Sequence, residues 1–186
     1  MIGYAFCGSF CTLQKSMEQL AALVAQGMDV QAIMSEHVYT MDTRFGKAAD
    51  FRAEAERITG RPVLASIVEA EPLGPKTPLE ALIIAPCTGN TLAKIASGIT
   101  DTAVTMAAKA HLRCDRPTVI ALASNDSLSQ NLRNIATLLL RKRVYLVPLK
   151  QDDPRSKPHS LVADFSRIPE ALTAALEERQ LRPLFE

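Results

Sequence analysis

The chain has 186 residues, a length that suits one hydrophobic core and is short for two. Lys and Arg number 21 against 20 Asp and Glu, so a formal charge of +1 offers no face-wide attraction to a polyanion, and no nucleic-acid partner is expected. Composition is that of a globular protein, 47% hydrophobic and 22% charged, and no apolar run approaches the roughly 20 residues needed to cross a bilayer, so no membrane partner is expected.

The opening MIGYAFCGSF lacks the basic flank and small-residue cleavage site of a secretory signal and reads as a core strand ending at Gly8-Ser9. Helical spacing follows at Leu13, Met17, Leu20, Leu23 and Val24, Gly27 stops the helix, and Val30, Ile33 and Met34 supply a second strand. This is a βαβ unit with an expected right-handed crossover. Residues 44–59 predict an exposed helix with a weak apolar face of Phe45, Ala49, Arg52, Ala53 and Ile58, ended by Gly60. Three prolines and a glycine in EPLGPKTP, residues 71–78, predict a loop at a subunit edge.

ALIIAP from Ala81 is continuously apolar, as a central parallel strand covered on both faces requires. A short helix carries Leu92 and Ile95, another covers residues 102–113, and TVIALA from Thr118 is the next strand. A helix with Leu128, Leu132, Ile135 and Leu139 on its apolar face leads into a last strand at VYLVP from Val144. Arg141-Lys142-Arg143 falls between them, where cations favour the negative end of a helix dipole. The polar QDDPRSKPHS and a terminal helix with Ile168, Leu172 and Leu176 complete a single domain over residues 1–186, residues 150–186 packing on the rest. Alternating strands and helices predict a doubly wound α/β fold with a mainly parallel sheet, whose ligands bind beyond the carboxyl ends of the strands.

Three loops reach that end. In GSFCTLQK, Gly8 and Ser9 precede a helix N-terminus, an arrangement that suits a phosphate and equally a turn glycine followed by a capping serine. It is neither a G-x-G-x-x-G loop nor a Walker loop, so ATP and conventional NAD binding lose weight. Ser35, with Glu36 and His37 after the second strand, reads as a second phosphate donor or as a cap. The third loop, APCTGNTLAKIASGITDT from Ala85 to Thr102, crowds Thr88, Gly89, Asn90 and Thr91 at a helix start, where small polar groups admit a flat ring and bond a ribityl chain. Lys94 reads as a partner for an anion or as a solvated surface side chain. Cys87, at a strand end near a helix N-terminus, reads as packing in preference to a nucleophile, because no histidine is adjacent to serve as its base.

GSFCTLQK, APCTGNTLAKIASGITDT and VTMAAKAHLR resemble the homo-oligomeric, flavin-containing cysteine decarboxylase family of flavoproteins. The resemblance spans nearly the whole chain. It implies a flavodoxin-like fold assembled as trimers or larger oligomers, with an FMN pocket where neighbouring copies meet. Carried over residue by residue, Gly8, Ser9 and Ser35 lie at the flavin phosphate, Pro86, Cys87, Thr88, Asn90 and Thr91 line the flavin, and Ile99 and Thr100 match the turn after the short helix. Asp101 belongs to that turn or caps the next helix.

Decarboxylases of the family carry a catalytic histidine before the central strand, and residues 58–85 contain none. Their later P-x-M-N motif is replaced here by ALASNDS, with Asn125 near the old asparagine. ALASNDSLSQNLRNIATLLLRKRVYLVPLKQDDP and KPHSLVADF resemble a branch that serves as one half of a two-component oxidoreductase. That branch makes a pyridine dicarboxylate for the endospore from a dihydro precursor of the lysine pathway, with NAD(P) expected on the partner component. The alternatives are a stand-alone FMN oxidoreductase or decarboxylase, and a structural component with a vestigial pocket. His111 and His159 read as surface or interface groups, and four cysteines without C-x-x-C spacing fit a reducing cytoplasm better than zinc or disulfides.

Overall fold

The computed structural model describes residues 1–186. Five parallel strands form the centre: β1 (Ile2–Phe6), β2 (Val30–Met34), β3 (Leu82–Cys87), β4 (Thr118–Ser124) and β5 (Val144–Leu146). Their order, β2-β1-β3-β4-β5, is the flavodoxin-like arrangement, whose topological switch point lies between β1 and β3. Every residue of β1, β2 and β3 is buried, the expected result of covering both faces of a parallel sheet.

Helix α1 (Phe10–Ala25) packs on β1 and β3 through Leu13, Met17 and Leu20. On β2 and its end lie α2 (Glu36–Thr40) and α3 (Ala48–Thr59). The other face carries α4 (Ile67–Ala70), α5 (Gly89–Ser97), α6 (Ala103–Leu112) and α7 (Leu132–Leu139). A buried tie holds α1 to the centre: Ser16 Oγ donates to the Ala85 carbonyl at 2.5 Å and meets Tyr4 Oη at 2.9 Å.

The polar segment after β5 is more ordered than its composition predicts. β6 (Leu149–Lys150) and β7 (Leu161–Ala163) are antiparallel, β7 pairing with Ala123 and Ser124 at the carboxyl end of β4. VYLVP is therefore not the last strand. A 3-10 turn at Phe165–Arg167 leads into α8 (Ile168–Leu176), which packs beside α1 on β4 and β5. One contiguous core runs from Ile2 to Leu184 and includes Phe165, Ile168 and Leu172.

Several local expectations need correction. The helix expected over 44–59 begins at Ala48, and its buried side is Ala48, Phe51 and Ala55, while Phe45 lies outside it and exposed. Leu128 precedes α7 in a turn, and the buried residues of that helix are Ile135 and Leu138. Residues 71–78 form turns, as the loop reading expects. A Cβ on Gly74 would run into the Ala110 carbonyl oxygen, so this loop docks on α6. His111 is fully buried, its Nε2 donating to the Pro117 carbonyl at 2.8 Å, and burial pushes its pKa down. The basic run follows the end of α7 and precedes β5, as expected, and it also meets carboxylates, Lys142 pairing with Asp115 at 2.6 Å and Arg143 with Glu178 at 2.6 Å. No helix is long and apolar enough to cross a membrane.

Candidate functional site: a cleft at the carboxyl ends of β1, β3 and β4

The loops after β1, β3 and β4 and the segment between β6 and β7 enclose a cleft of about 590 Å³, within the usual range for small-molecule sites. Gly8, Ser9, Cys11 and Thr12 form one side, Thr88, Gly89 and Asn90 the floor. Ser124, Asn125 and Asp126 stand opposite, with Asp152, Lys157 and Ser160 arriving from the chain's return. Five residues expected from the sequence, Gly8, Ser9, Thr88, Asn90 and Asn125, thus meet in one place.

Each side has its own chemistry. Ser9 sits at the N-cap of the 16-residue α1, yet its hydroxyl makes no cap hydrogen bond. It accepts instead from Thr12 Oγ1 at 3.0 Å, so its own proton remains available to a ligand. With the positive end of the helix dipole, this edge suits an anion and corrects the capping alternative. Thr88 is a true cap, its Oγ1 accepting from the Thr91 amide at 3.1 Å. Across the cleft, Asp126 accepts from Ser124 Oγ and from Asn131 Nδ2, 2.9 Å from each carboxylate oxygen. Those bonds, Ser124's first, hold its pKa below the usual carboxylate range. Asp152 is held low by Ser160 and Lys157, the latter at 2.9 Å.

Gly89 explains how the wall meets the floor. A Cβ there would lie against Ser124 Oγ, 2.6 Å from Asn131 Nδ2 and 2.8 Å from Asp126 Oδ1. The missing side chain lets the whole polar group rest on the first turn of α5.

The other expected residues stand elsewhere. Ser35 is buried at the end of β2 with an unpartnered Oγ, so it neither caps α2 nor lines the cleft. Pro86 and Cys87 are buried in β3, and Thr91 is buried beneath Thr88. Desolvation first, then the neighbouring Cys7, pushes the Cys87 thiol well above its ordinary pKa, in keeping with its reading as a packing residue. Ile99 and Thr100 line a separate pocket of about 160 Å³ between α5 and α6. Lys94 pairs with Asp101 at 2.7 Å, while Thr102 caps α6, so neither Lys94 nor Asp101 takes the alternative role weighed for it. His159 is exposed beside the cleft segment.

Sequence reasoning named Gly89 among the small groups of the third loop but singled out neither Asp126 nor Asp152, Lys157 and Ser160. A serine and an aspartate two apart in ASNDS mark a side-chain-bonded turn and were a usable signal for Asp126. Nothing local marks the residues delivered by β7.

A flavodoxin-like strand order, with a polar cleft at the switch point and an uncapped helix end facing it, defines a doubly wound α/β protein of the ligand-binding type. The chain belongs to the Flavoprotein family, whose profile matches residues 1–164. It is 41% identical to the dipicolinate synthase B subunit of Bacillus subtilis (strain 168) over 98% of this chain and 92% of the relative. The crystal structure of the dipicolinate synthase B subunit from Bacillus halodurans C superimposes with a TM-score of 0.91 at 40% identity, covering 100% of this chain and 95% of that one. The FMN-dependent cysteine decarboxylase SpaF shares the fold at 23% identity and a TM-score of 0.69, over 94% and 95% of the two chains.

Proposed function

We propose that this chain acts as the B subunit of dipicolinate synthase. Together with the A subunit of that enzyme it would oxidise a dihydrodipicolinate-level precursor to the aromatic dicarboxylate during sporulation, in the cytoplasm, where its free thiols persist. The near full-length likeness to two such proteins carries this reading. NAD(P) is assigned to the partner, because no loop here has the glycine pattern of a dinucleotide site.

FMN fits the α1 side of the cleft. Ser9 and the first-turn amides of α1 would hold its phosphate, and Ser35, buried and without a partner, is a reserve donor at the neighbouring strand end. Thr88, Asn90 and Asn125 would meet the ribityl chain and ring edge, with Pro86, Cys87 and Thr91 packing beneath. Flavin supplies a two-electron acceptor when bound. The chain's own residues orient the ligand, and the segment carrying Lys157 restricts water. A homo-oligomer of three or more copies would cover the exposed Ile67, Val68 and Ile99 and bring Ile99 and Thr100 to a neighbour's cleft.

The test is a visible spectrum of the purified chain, followed by addition of the partner protein, NADP and freshly generated dihydrodipicolinate. Bound flavin, with dipicolinate formed only when both proteins are present, is expected. Product formed at the same rate without this chain overturns the proposal. Product formed by this chain alone makes it a self-sufficient enzyme.

A further inference from the structure

Asp126 is a carboxylate built into the cleft proposed to receive a dicarboxylate. Among the lining residues Lys157 is the single cation, against Asp126 and Asp152. An anionic wall is costly for a dianion unless it meets something positive or hydrogen-bearing on the ligand. The wall is also rigid. Asn131 donates to both carboxylate oxygens and is itself fixed by Asn134 Nδ2, which donates to Asn131 Oδ1 at 2.9 Å. Ser124 Oγ loads Oδ1 only, so Oδ2 keeps the greater free accepting capacity, and the carboxylate has no donor proton of its own.

We infer that Asp126 reads the ring nitrogen of the ligand. It selects a carboxylated heterocycle whose nitrogen carries hydrogen and rejects the aromatic pyridine, whose nitrogen presents a lone pair. Lys157 faces a ligand carboxylate. The inference rests on the proposed function and adds a direction to it, since a dihydro precursor in its N–H form, as the iminium or the 1,2-dihydro tautomer, is held and the finished aromatic ring is repelled. Like-charge and lone-pair contacts of this kind discriminate by leaving a buried acceptor unmatched.

Calorimetric titration of the full-length chain, by itself and with its partner protein, against two probes tests this. cis-Piperidine-2,6-dicarboxylate carries a protonated ring nitrogen, and pyridine-2,6-dicarboxylate an unprotonated one. Wild type is expected to prefer the piperidine by about ten-fold or more, the size of one charge-assisted hydrogen bond. Asp126→Asn and Asp126→Ala, each checked for a native melting profile, should lose the preference, whereas Lys157→Gln should weaken both ligands and keep it. Equal affinities in wild type, or a preference that survives in Asp126→Asn, overturn the inference and leave the proposed function standing. Binding of neither probe under either condition overturns the cleft as the dicarboxylate site, and dipicolinate production by the assembled pair then decides separately whether the proposed function holds.

Discussion

Replacing Gly89 by alanine tests the joint between cleft wall and floor. In an exposed helix the change would stabilise by up to about 1 kcal/mol. Here the added methyl meets Ser124 Oγ, Asn131 Nδ2 and Asp126 Oδ1 together, and these atoms are bonded to one another, so none retreats alone. Overpacking costs about 1–3 kcal/mol, and losing a hydrogen bond to a charged group about 1.5–3 kcal/mol more. Against the helical gain, a net loss of about 1.5–5 kcal/mol follows. At about 2–4 °C per kcal/mol for a chain of this size, the melting midpoint drops by about 3–20 °C. Differential scanning calorimetry reads the shift, and Ser124→Ala in the same cycle should recover at least about 1 kcal/mol of it, because the nearest obstructing atom is gone. Gly89→Ala melting at or above the wild-type midpoint would refute the packing argument and show that the wall moves freely.

Gly74→Ala should be harsher than most surface changes, about 3 kcal/mol or more, because the obstructing atom is the Ala110 backbone oxygen and cannot rotate away; denaturant midpoints measure it. Of the four cysteines, Cys11 is exposed, while Cys7, its thiol pushed up to about 11 by burial, and Cys87 lie in the core. Iodoacetamide should therefore label Cys11 in the native protein and reach Cys7 and Cys87 only after unfolding, as peptide mass spectrometry would resolve. Burial holds the His111 pKa below its ordinary 6.5, so below that pH the unfolded chain takes up a proton the native state refuses, and stability falls as the solution is acidified. His111→Gln should flatten that slope in denaturant titrations between about pH 7 and 5. Asp126 adds a second loss at lower pH: its depressed value gives stability above the ordinary carboxylate range that disappears as pH falls through the native value, and Asp126→Asn should remove this component.

The parallel sheet was legible because burial on both faces demands continuous apolar runs, as in ALIIAP, and Gly8, Gly60 and Gly98 punctuate the chain where turns and helix ends fall. α3 was misread at its face, since Phe51 sits among charged neighbours and only tertiary contact selects it over Phe45. β6 and β7 are two and three residues long on either side of a polar segment, too short for any period to register. The same shortness hid one side of the cleft. Asp152, Lys157 and Ser160 meet Ser9 and Asn90 through a long-range antiparallel return, a relation that spacing along the chain does not encode. Ser35, Pro86, Cys87 and Thr91 lie at the expected end of the sheet and are buried there, a depth that composition does not encode.

β4 is shared along its length. Thr118–Ile120 pairs with β5, while Ala123 and Ser124 at its far end pair with β7. The two residues that launch Asn125 and Asp126 are thus laddered to the strand that follows Lys157 and Ser160. Opening of the return segment and loosening of the cleft wall become a single local-unfolding event, and a ligand touching either side should slow amide hydrogen exchange on both, at Leu161–Ala163 and through residues 124–131 alike.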